Sequence, residues 1–137
     1  MALSIASDLV EVTGENRVLL HHGLKTVSRN SRPGIRALLQ IVHCTPDYLT
    51  VRDIISRISP RINAAGRMSR ATEAVDLLTA RNEQRAAELA TNLDRLNNIR
   101  RSYDEQVTAA AIQQLSERPE FQHINIVWGQ NWHRGVV

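Results

Sequence analysis

The sequence is poor in cysteine, in lysine and in long apolar runs. A single cysteine, Cys44, in 137 residues excludes an intrachain disulfide framework and a cysteine-based metal site. It suits a reducing compartment, and Cys44 itself reads as a small core residue. No apolar run approaches membrane-spanning length and no signal peptide is visible, so no membrane role is expected. There is no internal repeat and no low-complexity tract. Of the 17 lysines and arginines, only Lys25 is lysine. Arginine offers a planar fork for phosphate and stacks on bases. The net charge is only +3, so any nucleic-acid site must be a local patch and not a global field.

What is present is mostly helical pattern, in a chain long enough for one domain with a real core. Leu3 to Val12 is mostly apolar, with the acid Asp8 in its middle. A carboxylate in an apolar run is an N-cap, a surface acid or a paired group. Thr13-Gly14-Glu15-Asn16 is a turn cluster, and a helix is expected from about Glu15 to Val27. His21-His22 on it reads as a surface pair. After the polar loop 28–34, Pro33 sits well at a first helical turn. Helical spacing of Ile35, Leu38, Leu39 and Val42 then runs to about His43. Val51, Ile54, Ile55 and Ile58 again have helical spacing, though their β-branching permits a strand. Ser69 to Ala80 reads as a short helix. Asn82 is a plausible N-cap for a long helix over 85–116, about 50 Å at 1.5 Å per residue. Its apolar seam is Ala86, Leu89, Leu93, Leu96, Tyr103, Val107 and Ala110. By periodicity alone this is a coiled-coil or bundle helix. Arg118-Pro119-Glu120 is expected to end it, and His123 to Trp128 reads as a short buried-type strand.

The stretch Ser59 to Met68, SPRINAAGRM, is the centre of the sequence. Arg61 and Arg67 flank the small residues Ala64-Ala65-Gly66, which let backbone approach another backbone or a ligand; Gly66 can also take positive φ. Asn63 is a two-way hydrogen-bonding group in that run. Pro60 biases Ser59 away from helix. Arginines held beside such backbone suit a phosphate or a nucleic-acid strand. A surface turn with solvated arginines fits the same residue types.

This wording resembles the RecJ family, the bacterial single-strand-specific exonucleases of the DHH–DHHA1 phosphoesterase superfamily. Three more segments resemble it, in order: Ala6-Ser7-Asp8-Leu9-Val10 with Gly14-Glu15-Asn16-Arg17, then Arg32-Pro33-Gly34-Ile35-Arg36-Ala37-Leu38, then Trp132-His133-Arg134-Gly135-Val136-Val137. The resemblance implies an α/β parent of which this chain is a mostly α piece: 1–80 ending a DHH domain, 81–118 a long connecting helix, 119–137 the first strand of a DHHA1 domain. It implies that Asp8 is a metal ligand in a two-metal centre of Mn²⁺ or Mg²⁺, and that Arg61, Asn63, Arg67 and His133 face nucleic acid. The other metal motifs of the family belong upstream of Met1, and its serine and arginine for the 5′ phosphate belong just past Val137. Alone, the chain should therefore be inactive.

The activity implied is metal-dependent 5′-to-3′ hydrolysis of single-stranded DNA in repair and recombination, in the bacterial cytoplasm, with a helicase or single-strand-binding protein as further partners. Two other readings stand beside it. One is a DHH–DHHA1 phosphodiesterase of short oligonucleotides or cyclic dinucleotides, against which the SPRINAAGRM stretch and the long helix argue. The other is a non-catalytic single-strand-binding scaffold, against which Asp8 argues.

Overall fold

A computed structural model describes residues 1–8, 10–117 and 124–136. The leading apolar run folds as helix α1 (Ala2–Ser7), which buries Ala2, Ile5 and Ala6. Gly14, at φ +48°, turns the chain into α2 (Gly14–Asn30). Helix α3 (Pro33–Ile41) starts on Pro33, as expected, and buries Ile35, Leu38 and Leu39 on one face. It stops short of His43, which takes a left-handed φ of 53°, a conformation that ends helices. A 3₁₀ turn (Pro46–Tyr48) follows.

The next helical run has no break at Pro60. It begins as α4 (Val51–Asp53), widens to a π turn at Ile54–Ile58, and continues as α5 (Ser59–Met68). A capping box at Thr50 and Asp53 starts it. Hydrogen bonds from the Thr50 hydroxyl and N–H, with Arg57 nearby, hold the Asp53 carboxyl below its usual range. The π turn corrects the reading of Ser59, which is helical at φ −59°, ψ −39°. Proline removes one donor and its ring crowds the preceding turn. A widened turn absorbs both: the Ser59 N–H reaches back five residues to the Ile54 carbonyl.

Helices α6 (Thr72–Thr79) and α7 (Glu83–Ser116) complete the order. The Asn82 side chain accepts from the Arg85 N–H at 3.0 Å, the cap expected of it. The N-terminal half of α7 is the rail on which α3, α5 and α6 pack. Ala86, Leu89, Ala90, Leu93 and Leu96 are its buried apolar side chains. They meet Leu38, Ile54, Ile58, Ala64, Ala65 and Leu77 in one core. Beyond Asn97 the seam is wet, and Tyr103, Ile112 and Leu115 are exposed. Cys44 is half-buried at the edge of this core, with Arg57 donating to its sulfur at 3.3 Å.

The close approach of two helices explains the motif Arg32-Pro33-Gly34. A Cβ on Gly34 would lie 1.9 Å from the Leu77 carbonyl oxygen, so α3 meets the backbone of α6 with no side chain between them.

No β-strand occurs among the described residues, which corrects the expectation for His123 to Trp128. Residues 124–128 have no ladder; His123 and the expected helix stop at Arg118-Pro119-Glu120 lie outside the described residues. In place of a neighbouring strand, the Gln114 amide pairs with Trp128, donating to its carbonyl at 2.6 Å and accepting from its N–H at 3.2 Å. Ile124, Ile126 and Trp128 are all more than 70% exposed, an apolar patch that favours association. The isolated chain is expected to self-associate, and Ile126→Lys to reduce this, in sedimentation velocity over a concentration series. A monomer with a sharp two-state melt would contradict it.

Candidate functional site

Asp8 does not cap the start of a helix. It closes α1, with its N–H on the Ser4 carbonyl at 3.1 Å. The dipole there disfavours a carboxylate, so local helix energetics do not explain the acid. Asp8 lines a cleft of about 400 Å³ with Leu3, Ser7, Ser59, Ile62 and Asn63. It is the one carboxylate among the described residues of that lining. Asn63 comes to the same cleft from α5, with its side chain exposed. The fold thus brings together two residues that lie 55 positions apart in the sequence.

Helix α5 sorts the rest of its motif by face. Ser59, Asn63 and Arg67 are spaced four apart and form one row. Ala64 and Ala65 are fully buried on the side where α5 packs against α7. The small residues therefore serve contact between two helices. Gly66 is not in the left-handed region, and a Cβ there would meet only the Ala71 Cβ at 3.7 Å.

Arg61 is turned toward α7 and away from the row. Its Nε donates to Asp94 at 2.7 Å and one terminal nitrogen donates to the Arg57 carbonyl at 2.6 Å, in a partly buried pair. Its geometry is that of a strut. Arg67 donates to the Gly135 carbonyl at 3.0 Å, which ties α5 to the turn carrying His133. In that turn His133 Nδ1 accepts from the Gly135 N–H at 3.1 Å, and its ring lies 6.0 Å from that of Tyr103 on α7. With Nδ1 an acceptor, the neutral ring carries its proton on Nε2. Four of the five sequence-derived residues, Asp8, Asn63, Arg67 and His133, are thus linked through one row of α5; Arg61 stands apart.

Sequence reasoning missed Ser7, Ser59 and Tyr103. The serines became legible only once Pro60 was known to lie inside a helix, since Ser59 then falls one turn before Asn63. His21 and His22 are exposed, with ring centroids 5.3 Å apart, as expected of a surface pair. Among the described residues no three His, Cys, Asp or Glu side chains converge on a metal-sized site. The described residues by themselves do not fit a two-metal centre; to this cleft they bring one carboxylate.

No family model matches the chain. The single-stranded-DNA-specific exonuclease RecJ of Salmonella typhimurium is 35% identical over 143 residues, covering 100% of this chain and 25% of that protein. A crystal structure of exonuclease RecJ bound to manganese superposes with a TM-score of 0.85 at 31% identity over 98% of the chain and 34% of that structure. The chain is similar over its whole length to one segment of RecJ proteins. RecJ of Bacillus subtilis is 30% identical over 99% of the chain and 17% of its own length. RecJ of Thermus thermophilus in complex with Mg²⁺ gives a TM-score of 0.83 at 30% identity, with 21% of that structure covered. The chain spans a quarter or less of these two curated RecJ proteins. The mostly helical fold read from the sequence agrees with the RecJ structures.

Proposed function

We propose that this segment lines the strand path of a metal-dependent single-stranded-DNA exonuclease of the RecJ type. The observation that carries this is the shared cleft of Asp8 and Asn63, with Arg67 one turn further on the same face. Asn63 offers both a donor and acceptors to a strand. Arg67 has one nitrogen committed to Gly135 and the rest of its fork available for phosphate. His133 offers its Nε2 proton from the adjoining turn. Arg61 takes part indirectly, by fixing α5 on α7. Asp8 contributes one carboxylate toward Mn²⁺ or Mg²⁺ in a centre that needs ligands beyond this chain, so the isolated segment is expected to be inactive.

In domain terms, 1–80 ends a DHH domain, 81–118 connects, and 119–137 opens a DHHA1 domain, the rest of which would cover Ile124, Ile126 and Trp128. No helix among the described residues is long and apolar enough to cross a membrane. The proposed role is work on DNA in the cytoplasm, beside a helicase or a single-strand-binding protein. Both relatives and both structures named above are RecJ proteins. That favours this reading over a small-oligonucleotide phosphodiesterase or a scaffold.

Arg67 provides the test. In a complete RecJ-type protein carrying this segment, Arg67→Ala is expected to weaken single-stranded DNA binding by about 1–3 kcal/mol, the loss of a charge-assisted contact. The loss should be similar across base sequences, and the slope of log affinity against log salt should become shallower by about 0.7. Arg70→Ala, three residues on and exposed, is the control and should change little. Unchanged affinity with a lowered melting temperature would leave Arg67 only its bond to Gly135.

A further inference from the structure

We propose that Ser7 and Ser59 are a positioning pair that fixes the spacing between Asp8 and Asn63. This rests on the cleft reading above. Ser59 opens α5 and is only 6% exposed. Its hydroxyl meets that of Ser7 across the floor of the cleft. The Ser7 hydroxyl also donates to the Leu3 carbonyl in its own helix. A hydroxyl has one proton to give. Ser7 spends its proton on Leu3, so Ser59 must donate the bond between the helices. Donation runs in one direction, from Ser59 to Ser7 to the Leu3 carbonyl.

The place of this pair in the two walls gives it its function. Asp8 follows Ser7 directly, at the end of a helix of six residues. Helices that short have little stability of their own and take their position from what they pack against. Asn63 follows Ser59 by one turn of α5, a helix whose other side is braced by Arg61 on Asp94. The serine pair therefore ties the end of the short helix that carries Asp8 to the helix that carries Asn63, at the root of both side chains. Neither serine needs to touch the strand. Their effect is on alignment, where a displacement of about 1 Å can cost up to 10²-fold in rate.

The experiment uses a complete RecJ-type protein carrying this segment, with Ser7→Ala, Ser59→Ala, the double variant and Ser7→Thr. Turnover of a 5′-phosphorylated single strand with Mn²⁺ is read beside strand affinity without metal and a melting curve. Each alanine variant is expected to lower kcat about tenfold and to leave strand affinity within about twofold. The double variant should be no worse than either single one, because both remove the same bond. Ser7→Thr keeps the hydroxyl on an exposed position and should recover most of the rate.

Unchanged kcat in both alanine variants would overturn the proposal. So would additive losses, or a threonine variant as slow as Ser7→Ala. A lower melting temperature with kcat intact would reduce the pair to packing and overturn it equally. Asp8→Ala and Asn63→Ala belong in the same panel. If those two leave turnover and binding untouched, the cleft reading falls and takes this proposal with it. If they are damaging and the serine variants are not, only the positioning role is lost.

Discussion

Asp8→Ala, made in a complete RecJ-type protein carrying this segment, is expected to cut hydrolysis of single-stranded DNA by at least about 10²-fold and to leave strand binding intact or tighter. The binding half follows from Coulomb's law. A carboxylate in a cleft that receives a polyanion repels it, so removing it cannot weaken a purely electrostatic grip. The catalytic half follows from the same conflict. In the function proposed above, the acid at the end of α1 would share a divalent cation with the phosphate of the strand. Asp8→Asn should be nearly as damaging, since it preserves shape and loses charge. Turnover over a Mn²⁺ series and affinity at two salt concentrations distinguish the two halves. Full Mn²⁺-dependent turnover in either variant would make Asp8 an ordinary surface acid.

Gly34→Ala is expected to destabilise the fold by about 2 kcal/mol or more, a lowering of several degrees in melting temperature. The added Cβ would sit 1.9 Å from a backbone carbonyl oxygen of Leu77. Backbone cannot rotate aside as a side-chain tip does, so α3 and α6 must separate, and both bury their apolar faces on α7. Gly66→Ala is the internal comparison. It sits in a helix with only an ordinary contact at 3.7 Å, and replacing a helical glycine by alanine is worth about 0.5–1 kcal/mol in favour of folding. The same chemical change should thus have opposite signs at the two positions. Equal melting temperatures would mean that α3 and α6 are not in contact as described.

The helices were legible in the sequence wherever apolar spacing and a stop signal agreed. Pro33 and Asn82 mark the starts of α3 and α7 with their expected chemistry. The stretch around Pro60 was misread because proline is a local breaker, whereas the π turn before it is a tertiary solution that no single residue announces. The strand expected at 123–128 failed for a different reason. Alternating apolar residues describe a surface to be covered, and a ladder requires a partner that the described residues lack. For the candidate site, the residue types suggested arginines and an asparagine for a strand, and the family resemblance added Asp8 and His133. Their grouping depended on the four-residue row along α5, and Arg61 fell out of it because Asp94, 33 residues away, claims its guanidinium.

The long helix α7 is gripped along Ala86 to Asn97 and is wet beyond. In mechanical terms it is a cantilever. From Asn97 to Ser116 the arm beyond the core is about 28 Å at 1.5 Å per residue. A tilt of about 5° at the clamp would swing the tip by roughly 2.5 Å over that length. The contact of Tyr103 with His133, and the bond from Arg67 to the same turn, act as a stay that shortens the arm. Small repacking where α5 meets α7 would thus be magnified at the far end, and the stay sets how much of that swing survives.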